Sequence, residues 1–170
     1  MNAVSQNRGK EPLVTHHTVT VQAPIERAFR VFTDGFDRWW PRSHKLGKAD
    51  LERAVVESRV GGRWYERTVD GAECVWGQVL AWEPPRRAVL SWHIGADWKV
   101  DPDPARASEI EVTFVALGAG TTRVDIEHRH LERHGLGAED IVKSTSSSEG
   151  WPGILEAYAK VAAAAVAADG

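Results

Sequence analysis

Two periodicities divide the chain. Apolar residues recur at helical spacing near the N-terminus (Ile25, Ala28, Phe29, Phe32) and again at the C-terminus (Ile154, Leu155, Tyr158, Val161, Ala162, Ala165). Between these stretches the pattern is that of strands broken by turn residues. A first strand is predicted over Leu13–Val21, rich in β-branched residues. Ala23-Pro24 opens a short helix that ends at Asp34-Gly35, and Phe36–Trp40 predicts a second helical turn stopped by Pro41. Strands are then predicted over Leu51–Arg59, Arg63–Val69, Ala72–Trp82, Arg87–Ile94, Ser108–Leu117 and Thr121–His130. Their punctuation is Gly61-Gly62, Asp70-Gly71, Pro84-Pro85, a Pro-containing loop over Gly95–Ala107, and Gly118-Ala119-Gly120. Ala138–Ala168 reads as helix, kinked or restarted near Pro152, with Trp151 one turn before Leu155 on the same face.

This order predicts an α+β fold: a strand, two short helices, a run of hairpins, then one long helix. Six to seven antiparallel strands form a curved sheet, and the last helix is the amphipathic element able to cover one face. One domain is expected over residues 13–168, after a disordered tail over residues 1–12.

Composition narrows the function. The net charge of −3 excludes the basic surface of a nucleic-acid binder. The single Cys74 rules out an internal disulfide and a Cys-rich zinc site, so a reducing, cytoplasmic setting is expected. The polar N-terminus lacks the apolar core of a signal peptide, and the longest apolar run, Val161–Ala168, is too short for membrane insertion. Eight tryptophans beside four phenylalanines point instead to a pocket walled by aromatic rings.

Four segments carry a family resemblance. Phe32-Thr-Asp-Gly-Phe-Asp-Arg-Trp-Trp-Pro41 resembles the segment that follows the first helix in the START-like (SRPBCC, birch-pollen-allergen-like) superfamily. Gly61-Gly-Arg-Trp-Tyr-Glu-Arg67 resembles its strand entry, and Gly77-Gln-Val-Leu-Ala-Trp-Glu-Pro-Pro-Arg-Arg87 with Leu90-Ser-Trp92 its central hairpin. Gly150-Trp-Pro-Gly-Ile-Leu155 is similar to its C-terminal helix motif. The branch it most resembles is that of the heat-shock-chaperone ATPase activator homologues, alongside polyketide-cyclase-like relatives. The resemblance implies a helix-grip fold with a cavity between sheet and C-terminal helix. It implies no single activity, because that fold hosts carriers, receptors, cyclases and chaperone activators.

Strand alternation nominates the polar groups of such a cavity. Val124, Ile126, His128 and His130 share one face, and Trp64 shares a face with Glu66. Glu66 and His128 are therefore candidate anchors for a ligand hydroxyl or carbonyl, or an acid–base pair in an enzyme. Trp39, Trp40, Trp64, Trp76, Trp92, Trp151, Leu155 and Tyr158 are the candidate walls, with His130 as a further polar lining group. No metal site is expected, since His128, His130 and His134 lack a defensible further ligand, and no cofactor motif occurs.

Three readings follow. A carrier or sensor of a small apolar or aromatic molecule is preferred, because no acid–base spacing here demands catalysis. A co-chaperone that activates a heat-shock chaperone ATPase, and a cyclase or hydrolase using Glu66 and His128, stay open. So does a homodimer contact through Trp98 in the 95–107 loop.

Overall fold

Local turn chemistry lays out the sheet. In the computed structural model, which describes residues 12–169 and side chains as far as Ala164, Gly71 adopts φ +87° and closes the hairpin between β3 (Arg63–Thr68) and β4 (Glu73–Glu83). Strands β1 (Thr15–Val21), β2 (Leu51–Val56), β5 (Arg87–Trp92), β6 (Ser108–Gly118) and β7 (Thr121–Arg129) complete one seven-stranded sheet. Its order is β1-β7-β6-β5-β4-β3-β2, and every neighbouring pair is antiparallel. The tail expected over residues 1–12 lies outside the described residues except for Pro12, as does the side chain of Ala165.

Alternation decides which side chains enter the core. On β6, Ser108, Ile110, Val112 and Phe114 point inward; on β7, Thr122, Val124, Ile126 and His128 do. The inner face receives α1 (Ile25–Phe32), α2 (Phe36–Trp39) and the long helix α4 (Trp151–Asp169). Phe29 meets Phe114 and Trp82 edge-on, each at 5.1 Å between centroids, and Phe32 meets Tyr158 at 5.1 Å. The Tyr158 hydroxyl donates to the Ala28 carbonyl at 2.6 Å, tying α4 to α1. The helix-grip arrangement is therefore present, with α4 held by aromatic contacts. No helix among the described residues is long and apolar enough to cross a membrane.

Two elements differ from expectation, and an expected break is present. The second strand ends at Val56 rather than Arg59, because the chain turns over residues 57–62 and the Glu57 carboxylate accepts the Arg63 N–H at 2.6 Å. The C-terminal helical stretch restarts near Pro152 as its sequence predicts: α3 (Ala138–Ser146) and α4 are parted where Ser147 becomes extended. Gly150 is required at that junction, because a Cβ there would lie 2.2 Å from the Thr145 carbonyl oxygen. Residues Leu131–Gly137 form a short helical segment beginning directly after β7, where His130 takes φ +58°.

Candidate functional site

An open cleft of about 600 Å³ lies at the N-terminal end of α4. One lip is the loop after α2 (Trp40, Ser43, His44, Lys45, Leu46), and the opposite lip is the α3–α4 junction (Ser144, Thr145, Ser147, Glu149, Gly150). The floor and walls are Trp76, Trp92, Ile94, Trp98, Trp151 and Ile154. Five of the eight tryptophans therefore converge on one space, whose volume suits a small molecule.

The hydrogen bonds explain how these rings are held. Trp40 Nε1 donates to the His44 carbonyl at 2.9 Å, and Trp76 Nε1 donates to Glu66 Oε1 at 2.9 Å. Trp92 Nε1 donates to the Ile94 carbonyl at 3.0 Å, and Trp151 Nε1 to His128 Nδ1 at 3.4 Å. In each case the indole donor is engaged by the protein. These four rings offer the ligand flat π surface rather than donors. Trp98, 57% exposed and in the left-handed region at φ +59°, overhangs the mouth.

Few polar groups remain available inside. The Thr145 hydroxyl donates to the Ile141 carbonyl, and the Ser147 hydroxyl to the Ser144 carbonyl. Lys45 Nζ donates to the Gly47 and Lys48 carbonyls. His44 joins the two lips: its Nε2–H donates to the Glu149 carbonyl at 2.6 Å, while Nδ1 lies 3.1 Å from the Ser43 hydroxyl.

The residues singled out from the sequence separate into groups. Trp40, Trp76, Trp92 and Trp151 line the cleft. Trp64 is fully buried behind them, its ring 5.4 Å from both Trp76 and Trp92 and its Nε1–H without an acceptor. Trp39, Leu155 and Tyr158 pack in the core along α4; Trp39 Nε1 donates to the Val31 carbonyl at 2.9 Å. Burial raises the Tyr158 phenol well above its ordinary range.

Glu66 and His128 are both buried, but they do not form a hydrogen-bonded pair. Glu66 Oε1 accepts from Leu46 N at 2.6 Å and from Trp76, while Oε2 accepts from Gly47 N at 2.9 Å. His128 is paired with Ser108 and Trp151. Burial pushes its pKa down to about 3, so the ring is neutral. His130 departs from the face it was expected to share: the left-handed turn swings it to Glu132, 3.6 Å away. Among the described residues, no three His, Cys, Asp or Glu side chains converge as a metal site would need. His44, Trp98 and the 144–150 lip were missed by sequence reasoning. Only Trp98 carried a signal, as an apolar ring in a Pro-rich loop.

A curved sheet gripping a terminal helix, with an aromatic cleft at one end, is the architecture of START-like helix-grip proteins. The chain belongs to the family of activator of Hsp90 ATPase homolog 1-like proteins, whose model matches residues 22–163. Among solved structures it is similar to an anthrahydroquino-gamma-pyrone synthase, Txn09, complexed with SUM: 44% identity, 87% of this chain and 96% of that one, TM-score 0.63. It is also similar to CalC, a self-sacrificing resistance protein from Micromonospora echinospora: 35% identity, 88% of this chain and 93% of that one, TM-score 0.66. Protein NE0264 from Nitrosomonas europaea shares the fold at 15% identity, over 88% and 94% of the two chains, TM-score 0.62. No curated protein matches the chain.

Proposed function

We propose that this protein binds a planar, fused-ring aromatic molecule of polyketide type in the tryptophan cleft. The observation that carries the reading is the convergence of Trp40, Trp76, Trp92, Trp98 and Trp151 on one open space. Four of those rings are fixed through their N–H groups. Flat π surface, with the buried Glu66 carboxylate behind it already taken up by three protein N–H groups, favours a neutral, rigid ring system over a flexible acyl chain. Each ring pair adds about 0.5–1.5 kcal/mol beyond area burial, and a rigid ligand loses little entropy on entry. The likeness to a synthase of an aromatic pyrone supports the same class.

Intrinsic tryptophan fluorescence tests it. Anthraquinones and benzo-fused pyrones are expected to quench saturably, and a fatty acid of equal mass to quench weakly or not at all. Equal binding of the fatty acid, or no saturation by any planar probe, refutes the reading. Specific capture of a heat-shock chaperone without any planar ligand would favour the co-chaperone alternative.

A second reading is ring formation in the same cleft, favoured by the 44% identity to a pyrone synthase. His44, at the mouth, is the side chain placed to move a proton for a bound ligand. Under it, His44→Ala loses turnover of an open-chain precursor and keeps affinity for the closed product.

A further inference from the structure

His128 sits outside the cleft yet touches two of its walls. Its ring lies 5.9 Å from Trp92 at 70° and 6.4 Å from Trp151 at 78°, both edge-on. Trp92 comes from the end of β5 and Trp151 from the first turn of α4, so the imidazole joins a sheet wall to a helix wall. On its far side a chain of polar groups leads away from the ligand space. Nε2 is 2.9 Å from the Ser108 hydroxyl, and that hydroxyl is 2.7 Å from His134 Nε2.

The directions of these bonds follow from donor chemistry. An indole N–H can only donate, so His128 Nδ1 is the lone-pair acceptor for Trp151. A neutral imidazole with Nδ1 unprotonated carries its proton on Nε2, which donates to the Ser108 oxygen. The Ser108 proton is then free to go to His134 Nε2. Burial depresses both rings, His128 to about 3 and His134 to about 4, which keeps the chain in its neutral form. Every polar atom of His128 is used, and each use fixes one rotational choice.

We infer that His128 is a positioning residue that sets the separation and tilt of Trp92 and Trp151, and thereby selects the width of planar ring system the cleft admits. Ser108 acts through it by holding one tautomer. Without that lock the Nδ1 position would carry a proton part of the time, and the Trp151 N–H would lose its acceptor and its fixed orientation. The inference rests on the planar-ligand reading, because selectivity has meaning only if rings bind.

The test has two arms. In the free protein, long-range ¹⁵N–¹H spectra are expected to show His128 as the Nε2–H tautomer, with a slowly exchanging Trp151 indole N–H. Ser108→Ala is expected to mix the tautomers and broaden the Trp151 signal while the protein stays folded. An Nδ1–H tautomer in the native protein, or an unmoved Trp151 signal in Ser108→Ala, overturns the inference. In the second arm, affinities are measured for planar probes of two, three and four fused rings. Ser108→Ala and His128→Phe are expected to change the ratio between best and worst probe by about tenfold, and His128→Gln, which keeps an acceptor for Trp151, to restore part of it. Uniform weakening of all probes, as partial unfolding would give, also overturns it. Wild-type protein that binds none of the probes sinks the binding reading itself, a result distinct from any tautomer result on the free protein.

Discussion

The Glu66 carboxylate accepts the Trp76 indole N–H at 2.9 Å and so anchors one wall of the cleft from below. The same carboxylate takes the backbone N–H groups of Leu46 and Gly47, which orders the loop forming one lip. Removing it strands one buried donor, the Trp76 indole, and two half-buried backbone donors. Each unsatisfied donor costs about 1–3 kcal/mol, so Glu66→Ala is expected to lose about 3 kcal/mol or more. Glu66→Gln keeps an acceptor for Trp76 but turns an amide N–H toward one backbone donor, and should fall between the two. Urea unfolding checks this, and a Glu66→Ala protein as stable as wild type would show that the loop relaxes onto water.

Gly47 belongs to the same junction. A Cβ at this position would stand 2.8 Å from Thr68 Cγ2 and 3.2 Å from Glu66 Oε2. Neither neighbour has room to retreat, since Glu66 and Thr68 are both buried. Gly47→Ala is therefore expected to push the lip off its carboxylate at a cost of about 1–3 kcal/mol, and to weaken planar-ligand binding by moving Leu46 and Lys45. Unchanged stability together with unchanged affinity would contradict it.

The order of elements was legible because its signals are local: Asp70-Gly71, Gly118-Ala119-Gly120, and the apolar stripe from Ile154 to Ala162. What was not legible is which tryptophans face the cleft. Strand β4 is irregular twice, where Trp64 and Tyr65 of β3 pair with Gly77 and Val75, and again where Val79 and Ala81 pair with Leu90 and Val89. Each extra residue shifts the inward face. Trp76, Val79 and Trp82 consequently all turn to the core side, a spacing that strict alternation does not give. The cleft lips escaped notice for a related reason: His44 and Glu149 are 105 positions apart and meet only through a side chain-to-backbone bond.

Separation of core from cleft gives a paired prediction for tryptophan and tyrosine variants. Trp92→Ala and Trp151→Ala each remove a wall and should weaken planar ligands by about tenfold or more. Tyr158→Phe removes a buried hydrogen bond to the Ala28 carbonyl and should cost about 1 kcal/mol of stability, with affinity unchanged. Trp39→Phe, whose indole bonds Val31 away from the cleft, should behave as Tyr158→Phe does. Calorimetric titration beside thermal unfolding separates the two classes. A large affinity loss in Tyr158→Phe would mean that the ligand reaches the core along α4.

Acid sensitivity follows from the buried histidines. Burial lowers His128 to about 3 and His134 to about 4, against an ordinary value of 6.5, and it lowers His17 as well. Neighbouring charges modify the effect of burial: His134 and His17 lower His128 further, and His93 and Arg106 lower His134 further while the Asp101 carboxylate opposes them. The unfolded chain takes up these protons near pH 6.5, whereas the folded chain resists until far lower. Stability is therefore full above pH 6.5 and falls as the pH drops toward the folded values. Between pH 6 and 5 each such histidine contributes a slope of at most about 1.4 kcal/mol per pH unit. Carboxylates titrate mostly below this interval, which makes it diagnostic. His128→Gln should reduce the slope of unfolding free energy against pH by roughly one proton's worth. Urea titrations at half-unit steps measure that slope, and a wild-type protein equally stable at pH 6.5 and pH 5 would exclude a neutral buried His128.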